Sequence, residues 1–251
     1  MASIRIKTPV VVFDQGNTLL MDPFPAVMQL QKSRFQQVCN GHGVAADIER
    51  MVSEWTRSNS RINYPYVGHF YQEEPIVQDA LRSLGVRDDI AAILGLELLT
   101  EYRVGLRKVI TADPRTQEVK NTLEALRAKE KRLGVFSNDR SVALGFTLSV
   151  MGIKPFFEYI ETSESIAIEK PDPRVFEHIV KFFGERPDMV AYVGDDPIKD
   201  IEAAKIQGLT AVQYLVDQET YNESWRDYGA KSAKQPDVSI KQFSELLEVI
   251  E

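Results

Sequence analysis

Short apolar segments alternate with helix-like segments along the second half of the chain, and this alternation constrains the fold most strongly. Apolar positions such as Val119, Leu123 and Leu126 recur between them at helical spacing. Strand–helix alternation of this kind implies right-handed crossovers between parallel strands. The sequence therefore predicts an α/β fold with a doubly wound parallel sheet. The strand-like segments are RLGVFSN, FFEYIETSE, MVAYVGDD, TAVQYLV and DVSI, ending at Asn138, Glu164, Asp196, Val216 and Ile240.

One further strand is predicted near the N-terminus, at Val10 to Phe13, where the run is apolar and largely β-branched. An interval of about ninety residues then precedes the next strand–helix unit, far more than an ordinary connection needs. It contains helix-like stretches such as PAVMQLQKSRFQQVCNGHG, EEPIVQDALRSLG and DIAAILGLELLTEYRVGLRK. We predict a catalytic core of residues 1–20 and 112–251, with a helical cap at 21–111 folded over the edge where Asp14 lies.

Composition excludes several classes of protein. The chain is 43% hydrophobic and 27% charged, as expected of a soluble globular protein, and no apolar run reaches the length of a membrane span. A net charge of −7 argues against a nucleic-acid-binding surface. Cys39 is the sole cysteine, so an internal disulfide and a multi-thiolate metal site are both excluded. We expect a reducing, cytoplasmic setting; the sequence specifies no oligomeric state.

Polar groups follow several predicted strands. Asp14, Ser137 and the pair Asp195–Asp196 each stand where a strand ends, and Lys170 precedes a helix. Taken singly, each segment also fits a local role, as a turn residue or a helix N-cap. Taken together, they supply a carboxylate nucleophile, a hydroxyl and a cation for phosphate, and acids for Mg²⁺. That set fits phosphoryl transfer through a covalent aspartyl intermediate.

Four segments in this order resemble the motifs of the haloacid dehalogenase superfamily, whose largest group is Mg²⁺-dependent phosphatases. The segments are FDQGNTL, VFSND, EKPDPRVF and VGDDPIKD. The resemblance covers the predicted core, and the inserted helices lie where this family carries a cap. It implies a Rossmann-like core and a phosphatase acting on a small phosphorylated substrate.

The resemblance also implies a role for each residue that matches a motif. Asp14 would be the nucleophile, and Thr18 would help to fix it. Ser137 and the Asn138 backbone would bind phosphate. Lys170 would pair with Asp14 and with the phosphate. The Mg²⁺ ligands would be Asp14, the Gly16 carbonyl and Asp195, with Asp196 and Asp200 as further candidates.

Gly16 departs from the family pattern, which has a second Asp at this position. That residue normally offers a backbone carbonyl to Mg²⁺ and a carboxyl as general acid and base. Gly16 keeps the carbonyl and lacks the carboxyl, a loss worth about 10²–10⁴ in rate. We expect either a substrate with a good leaving group, which we favour, or an acid from the cap such as His69.

Three functions remain in competition. The first is a Mg²⁺-dependent phosphatase, and the second is a metal-independent 2-haloacid dehalogenase, since those enzymes also lack the second Asp. The acidic segment GDDPIKD argues against a dehalogenase, because a dry halide site gains nothing from three carboxylates. The third is a phosphate-binding or regulatory module with little catalysis.

The substrate itself is not specified. The aromatic stretch RINYPYVGHFYQEEP is predicted to be a loop of the cap. Its residues Tyr66 and His69 are candidates for substrate specificity, although packing within the cap explains them equally well.

Overall fold

The computed structural model describes residues 5–63, 73–215 and 232–251. The chain divides into two compact units, one formed by residues 1–22 and 113–251 and the other by residues 23–112. Tyr66 and His69 lie outside the described residues, so their proposed part in specificity stays a prediction.

The first unit contains a six-stranded sheet in which every described pairing is parallel, in the order β3-β2-β1-β4-β5-β6. The N-terminal strand lies in the middle, since Val10 pairs with Arg132 on one side and with Val190 on the other. The predicted α/β fold with a parallel sheet is confirmed. The strands are β1 Val10–Phe13, β2 Arg132–Ser137, β3 Tyr159–Thr162, β4 Val190–Gly194, β5 Thr210–Tyr214 and β6 Val238–Ile240.

Helices connect these strands and bury both faces of the sheet. The α-helices of this unit are α5 Pro114–Ala128, α6 Ser141–Val150, α7 Ser163–Ile166, α8 Arg174–Phe183, α9 Ala203–Ile206 and α10 Leu246–Val249. A π-helix spans Pro197–Glu202, and short 3-10 helices span Lys154–Phe156, Pro187–Met189 and Phe243–Glu245.

The two faces of β1 explain its sequence. Val10 and Val12 belong to a buried cluster with Phe176 of α8. Phe13 packs on the rings of Phe157 and Phe243. A strand covered on both faces has no polar side, so an uninterrupted apolar run is what this position requires.

The second unit is helical, with helices α1 Phe24–Gly41, α2 Ile48–Asn63, α3 Glu73–Ser83 and α4 Asp88–Ala112. The sequence analysis identified α1, α3 and α4 and missed α2, whose composition is mostly polar. Met51 and Trp55 of α2 nonetheless face the core of this unit, Met51 fully buried and Trp55 nearly so. The action of this helical unit as a cap stays a prediction. Within the described ranges, the helices are too short or too polar to cross a bilayer.

Helices α1 and α4 approach closely at a glycine of α4. A Cβ atom on Gly105 would lie 2.5 Å from Cγ of Gln31 and 2.9 Å from Cγ1 of Val27. Gln31 is held in place, because its Nε2 donates a hydrogen bond of 2.7 Å to the carbonyl of Glu101. Helices α1 and α4 therefore approach this closely only because Gly105 has no side chain.

We predict that Gly105→Ala destabilises the protein although alanine favours helix. The gain in helix propensity is about 0.5–1 kcal/mol, whereas overpacking costs about 1–3 kcal/mol. Urea unfolding should show a net loss. Gly95→Ala in the same helix is the matched control, because its Cβ would meet nothing closer than 3.4 Å; an equal response of both variants would contradict the packing argument.

Candidate active site

The candidate site lies at the carboxyl edge of the sheet, where parallel strands place their chemistry. Asp14 follows β1, Ser137 ends β2 and Asp195 follows β4. Lys170 comes from the connection between α7 and α8. The structure thus brings together side chains from four separated segments.

Lys170 lies at the centre of the site and is almost completely buried, with 2% of its surface exposed. Its Nζ lies 2.6 Å from Oδ1 of Asp14 and 2.6 Å from Oδ1 of Asp200. The hydroxyl of Tyr192 is 3.0 Å from the same nitrogen. The ammonium therefore joins the predicted nucleophile to an acid of the π-helix.

The ionisation of these groups follows from their burial and charges. Burial alone lowers the pKa of Lys170, but the Asp14 and Asp200 carboxylates outweigh it and raise that pKa well above its usual value. Burial also raises the pKa of Asp200 to about 6, against the opposing effect of Lys170. Burial likewise raises the pKa of Tyr192 well above its usual range. Near neutral pH the site holds a charged lysine, an ionised Asp200 and a neutral phenol.

Three carboxylates of the site are suited to a cation. One oxygen each from Asp14, Asp195 and Asp200 lies within 4.8 Å of the others, and all three residues are buried. Three carboxylates stand against the single ammonium of Lys170, which makes the group suited to a positive ion. Mg²⁺ takes oxygen ligands at about 2.0–2.1 Å in an octahedron, so its ligand atoms lie roughly 3–4 Å apart. The donor set, its spacing and its charge all fit this ion.

Gly194 allows Asp200 to reach this position. A Cβ atom at Gly194 would overlap Cγ and Oδ2 of Asp200. Oδ2 of Asp200 accepts a hydrogen bond of 3.0 Å from the backbone N–H of Asp196. The Asp196 side chain is not one of the three clustered carboxylates; its Oδ1 caps the π-helix by accepting from the N–H groups of Ile198 and Lys199.

Asn138 holds the backbone of Lys170. Its Nδ2 donates to the Lys170 carbonyl at 2.7 Å, and its Oδ1 accepts from the Lys170 N–H at 2.8 Å. Ser137, the last residue of β2, donates from Oγ to Oε1 of Gln15 at 3.3 Å. The predicted phosphate-binding pair therefore lies beside the residue that follows Asp14, and the Asn138 side chain has a separate structural task.

The loop after β1 folds tightly at Gly16. The carbonyl of Gln15 accepts from the N–H groups of Leu19 and Leu20, each at 3.0 Å. Asn17 has a φ of 54°, in the left-handed region that asparagine tolerates, and its Oδ1 accepts from the Asp22 N–H. Asn17 is thereby committed to the loop, and Gly16 brings no carboxyl to the site.

Thr18 is fully buried, and its Oγ1 has no hydrogen-bond partner among residues 5–63, 73–215 and 232–251. Thr18 therefore makes no hydrogen bond to Asp14 in the structure, and its expected part in fixing the nucleophile stays a prediction. The sequence analysis also missed Tyr192 and the use of the Asn138 side chain. A tyrosine inside the apolar strand VAYVG was the available signal, because a buried phenol requires a polar partner.

A sequence profile of the haloacid dehalogenase-like hydrolases matches residues 8–208. The chain belongs to this family of hydrolases, as its motifs and the parallel sheet indicate. The family resemblance seen in the sequence is confirmed.

Individual proteins resemble this chain at moderate identity. A glyceraldehyde 3-phosphate phosphatase of Methanothermobacter thermautotrophicus is 34% identical over 130 residues, which cover 52% of this chain and 56% of that protein. The chain thus spans little more than half the length of that relative. The haloacid dehalogenase-like hydrolase domain-containing protein 3 of Bos taurus is 29% identical over 220 residues, covering 82% of this chain and 81% of that protein.

Solved structures share the fold. The 2-haloacid dehalogenase of Pseudomonas syringae pv. Tomato superimposes with a TM-score of 0.62 at 24% identity, covering 96% of this chain and 97% of that one. At this identity the likeness concerns the fold alone.

We predict that Lys170→Met destabilises the protein in EDTA at pH 7. The substitution leaves the Asp14 and Asp200 carboxylates buried without a cation, and removing one partner of a buried pair costs about 3–5 kcal/mol. Chemical denaturation should show this loss. The exposed Lys154→Met is the control, and Lys170→Met combined with Asp200→Asn should recover part of the stability. Unchanged stability of Lys170→Met would contradict the electrostatic account.

Proposed function

We propose that this protein is a Mg²⁺-dependent phosphatase that hydrolyses a small phosphate ester through an aspartyl-phosphate intermediate. One observation carries the proposal: Asp14 is held by Lys170 at 2.6 Å, within a buried set of three carboxylates at the carboxyl edge of the sheet. A carboxylate nucleophile, a fixed cation and a cation-binding acidic group form the minimum set for this chemistry.

In the first step an oxygen of Asp14 forms a bond to phosphorus, and the ester oxygen leaves with the bonding electron pair. Lys170 orients Asp14 and lowers the cost of bringing two anions together. The hydroxyl of Ser137 and the backbone N–H of Asn138 hold the phosphate oxygens. In the second step the oxygen of a water molecule forms a bond to phosphorus and the bond from phosphorus to Asp14 breaks. This restores the carboxylate of Asp14, and the proton of the water passes to solvent as phosphate leaves.

The metal would be held by Asp14, the Gly16 carbonyl and Asp195, with Asp200 acting through water and through Lys170. When bound, Mg²⁺ neutralises the charge of the carboxylates and of the phosphate. Asp196 is a weaker candidate, because its Oδ1 already caps the π-helix.

The relatives support this activity and suggest a class of substrate. Several are named glyceraldehyde 3-phosphate phosphatase, and one from Aquifex aeolicus, 26% identical over 172 residues, is named phosphoglycolate phosphatase. Both names denote phosphatases whose substrates are phosphate esters of small molecules. We infer that the substrate of this chain is also a small phosphate monoester, to be identified by screening phosphorylated metabolites.

Hydrolysis of p-nitrophenyl phosphate with Mg²⁺ or with EDTA tests the metal dependence. Activity that EDTA abolishes and Mg²⁺ restores is the expected result. Release of chloride from a 2-haloacid, unaffected by EDTA, would instead establish a dehalogenase. Binding of phosphate without turnover of any ester would indicate a regulatory module.

We predict that Asp14→Asn abolishes turnover, because the amide cannot form the covalent intermediate. Thermal stability should change little, because Asp200 still compensates the charge of Lys170, and the exposed Asp188→Asn should retain full activity. Steady-state rates and a melting curve check both statements. More than a trace of activity in Asp14→Asn would rule out the covalent mechanism.

The absence of a carboxyl at Gly16 predicts a strong dependence on the leaving group. With no acid beside the departing oxygen, rates across a series of aryl phosphates should fall steeply as the leaving-group pKa rises. Gly16→Asp should flatten that slope, because general acid help is worth about 10²–10⁴ in rate. A flat wild-type series, with chemistry shown to be rate-limiting, would mean that another group supplies the proton.

A further inference from the structure

Tyr192 has an apolar environment around its ring and a charged one around its hydroxyl. It occupies the middle of β4, is fully buried, and belongs to the cluster that includes Val12 and Phe176. Its ring packs edge-on against Phe176, with centroids 5.0 Å apart. A phenylalanine would satisfy the packing equally well, so the hydroxyl requires a separate explanation.

The hydroxyl completes the hydrogen bonds of Lys170. An ammonium has exactly three N–H donors. Around Nζ of Lys170 lie three acceptors: Asp14 Oδ1 at 2.6 Å, Asp200 Oδ1 at 2.6 Å and the Tyr192 hydroxyl at 3.0 Å. Each donor therefore has a protein partner, and the three directions together fix the rotation of the ammonium about its last carbon–nitrogen bond.

A neutral third partner suits this position better than a charged one. The two carboxylates already outnumber the ammonium, and a third would add an uncompensated charge to a buried site. The phenol adds an oxygen lone pair 3.0 Å from Nζ without adding a charge. The phenol also donates a long hydrogen bond of 3.5 Å to the Phe136 carbonyl, which directs its lone pair away from that strand.

We propose that Tyr192 is a positioning residue that holds the Lys170 ammonium on Asp14 and Asp200. Because each of its three donors has a protein partner, the ammonium is held beside the nucleophile before a substrate binds. This assignment rests on the proposed phosphatase function and adds to it a residue that acts through Lys170.

The first test does not depend on activity. The metal-free protein, labelled with ¹⁵N-lysine, should show one ammonium resonance whose protons exchange slowly with water, assigned by its loss in Lys170→Arg. Tyr192→Phe should accelerate that exchange at least about tenfold, since it removes one of three hydrogen bonds to a charged donor. Tyr159→Phe is the matched control: Tyr159 is a buried tyrosine of the same cluster, and its hydroxyl contacts His178. Unchanged exchange in Tyr192→Phe would overturn the proposal.

The second test separates an effect of Tyr192 on turnover from an effect on substrate binding. Tyr192→Phe should lower kcat for p-nitrophenyl phosphate by about 3- to 10-fold, less than the roughly 10- to 150-fold value of a whole hydrogen bond to an ion, because Asp14 and Asp200 still hold the ammonium. KM and the inhibition constant of inorganic phosphate should stay within twofold of wild type, and Tyr159→Phe should leave all three unchanged. An inhibition constant that weakens as much as kcat falls would mean that Tyr192 acts on phosphate binding and not on the position of the nucleophile, and would overturn the proposal. If the wild-type protein hydrolyses no phosphate ester, the proposed function fails, and the exchange measurement alone decides the role of Tyr192.

Discussion

The site depends on one contact, in which the buried ammonium of Lys170 lies between the carboxylates of Asp14 and Asp200. Burying a lysine is costly unless its charge is compensated and its donors are satisfied. The surrounding sequence meets both requirements with residues from distant segments: Asp14 is 156 residues and Asp200 30 residues away in the chain. Gly194 gives Asp200 the necessary space, and Asn138 fixes the backbone of Lys170. Several residues that take no direct part in chemistry are thus fixed by the needs of one cation.

Most of the strands and helices could be predicted from the sequence because their apolar patterns are local. The central strands β1 and β4 coincide with apolar runs, and a parallel sheet needs such runs wherever both faces are covered. Helix α2 was missed because its few large apolar residues, such as Met51 and Trp55, stand in a mostly polar segment. Its place in the core is set by packing against the neighbouring helices, which a local pattern does not encode.

The candidate site was predictable to the level of which strand ends meet, since parallel strands align their carboxyl ends. The use of each side chain was not predictable, because it depends on distances between segments. Asn138 was expected to act through its backbone, yet its side chain holds Lys170. Thr18 was expected to fix the nucleophile, yet its hydroxyl finds no partner in the described ranges. The direction of each side chain, and whether its hydrogen-bond donors find partners, are decided only when the strands come together in the sheet.

The central place of β1 has a consequence for biosynthesis. Val10 pairs with Val190, 180 residues further along the chain, so this strand leaves the ribosome long before its second neighbour exists. At about 5–20 residues per second the delay is on the order of ten to forty seconds. Throughout that time four apolar residues, Val10 to Phe13, remain without one of their partners. An apolar strand that waits for its partner is exposed to wrong pairing and aggregation during that interval.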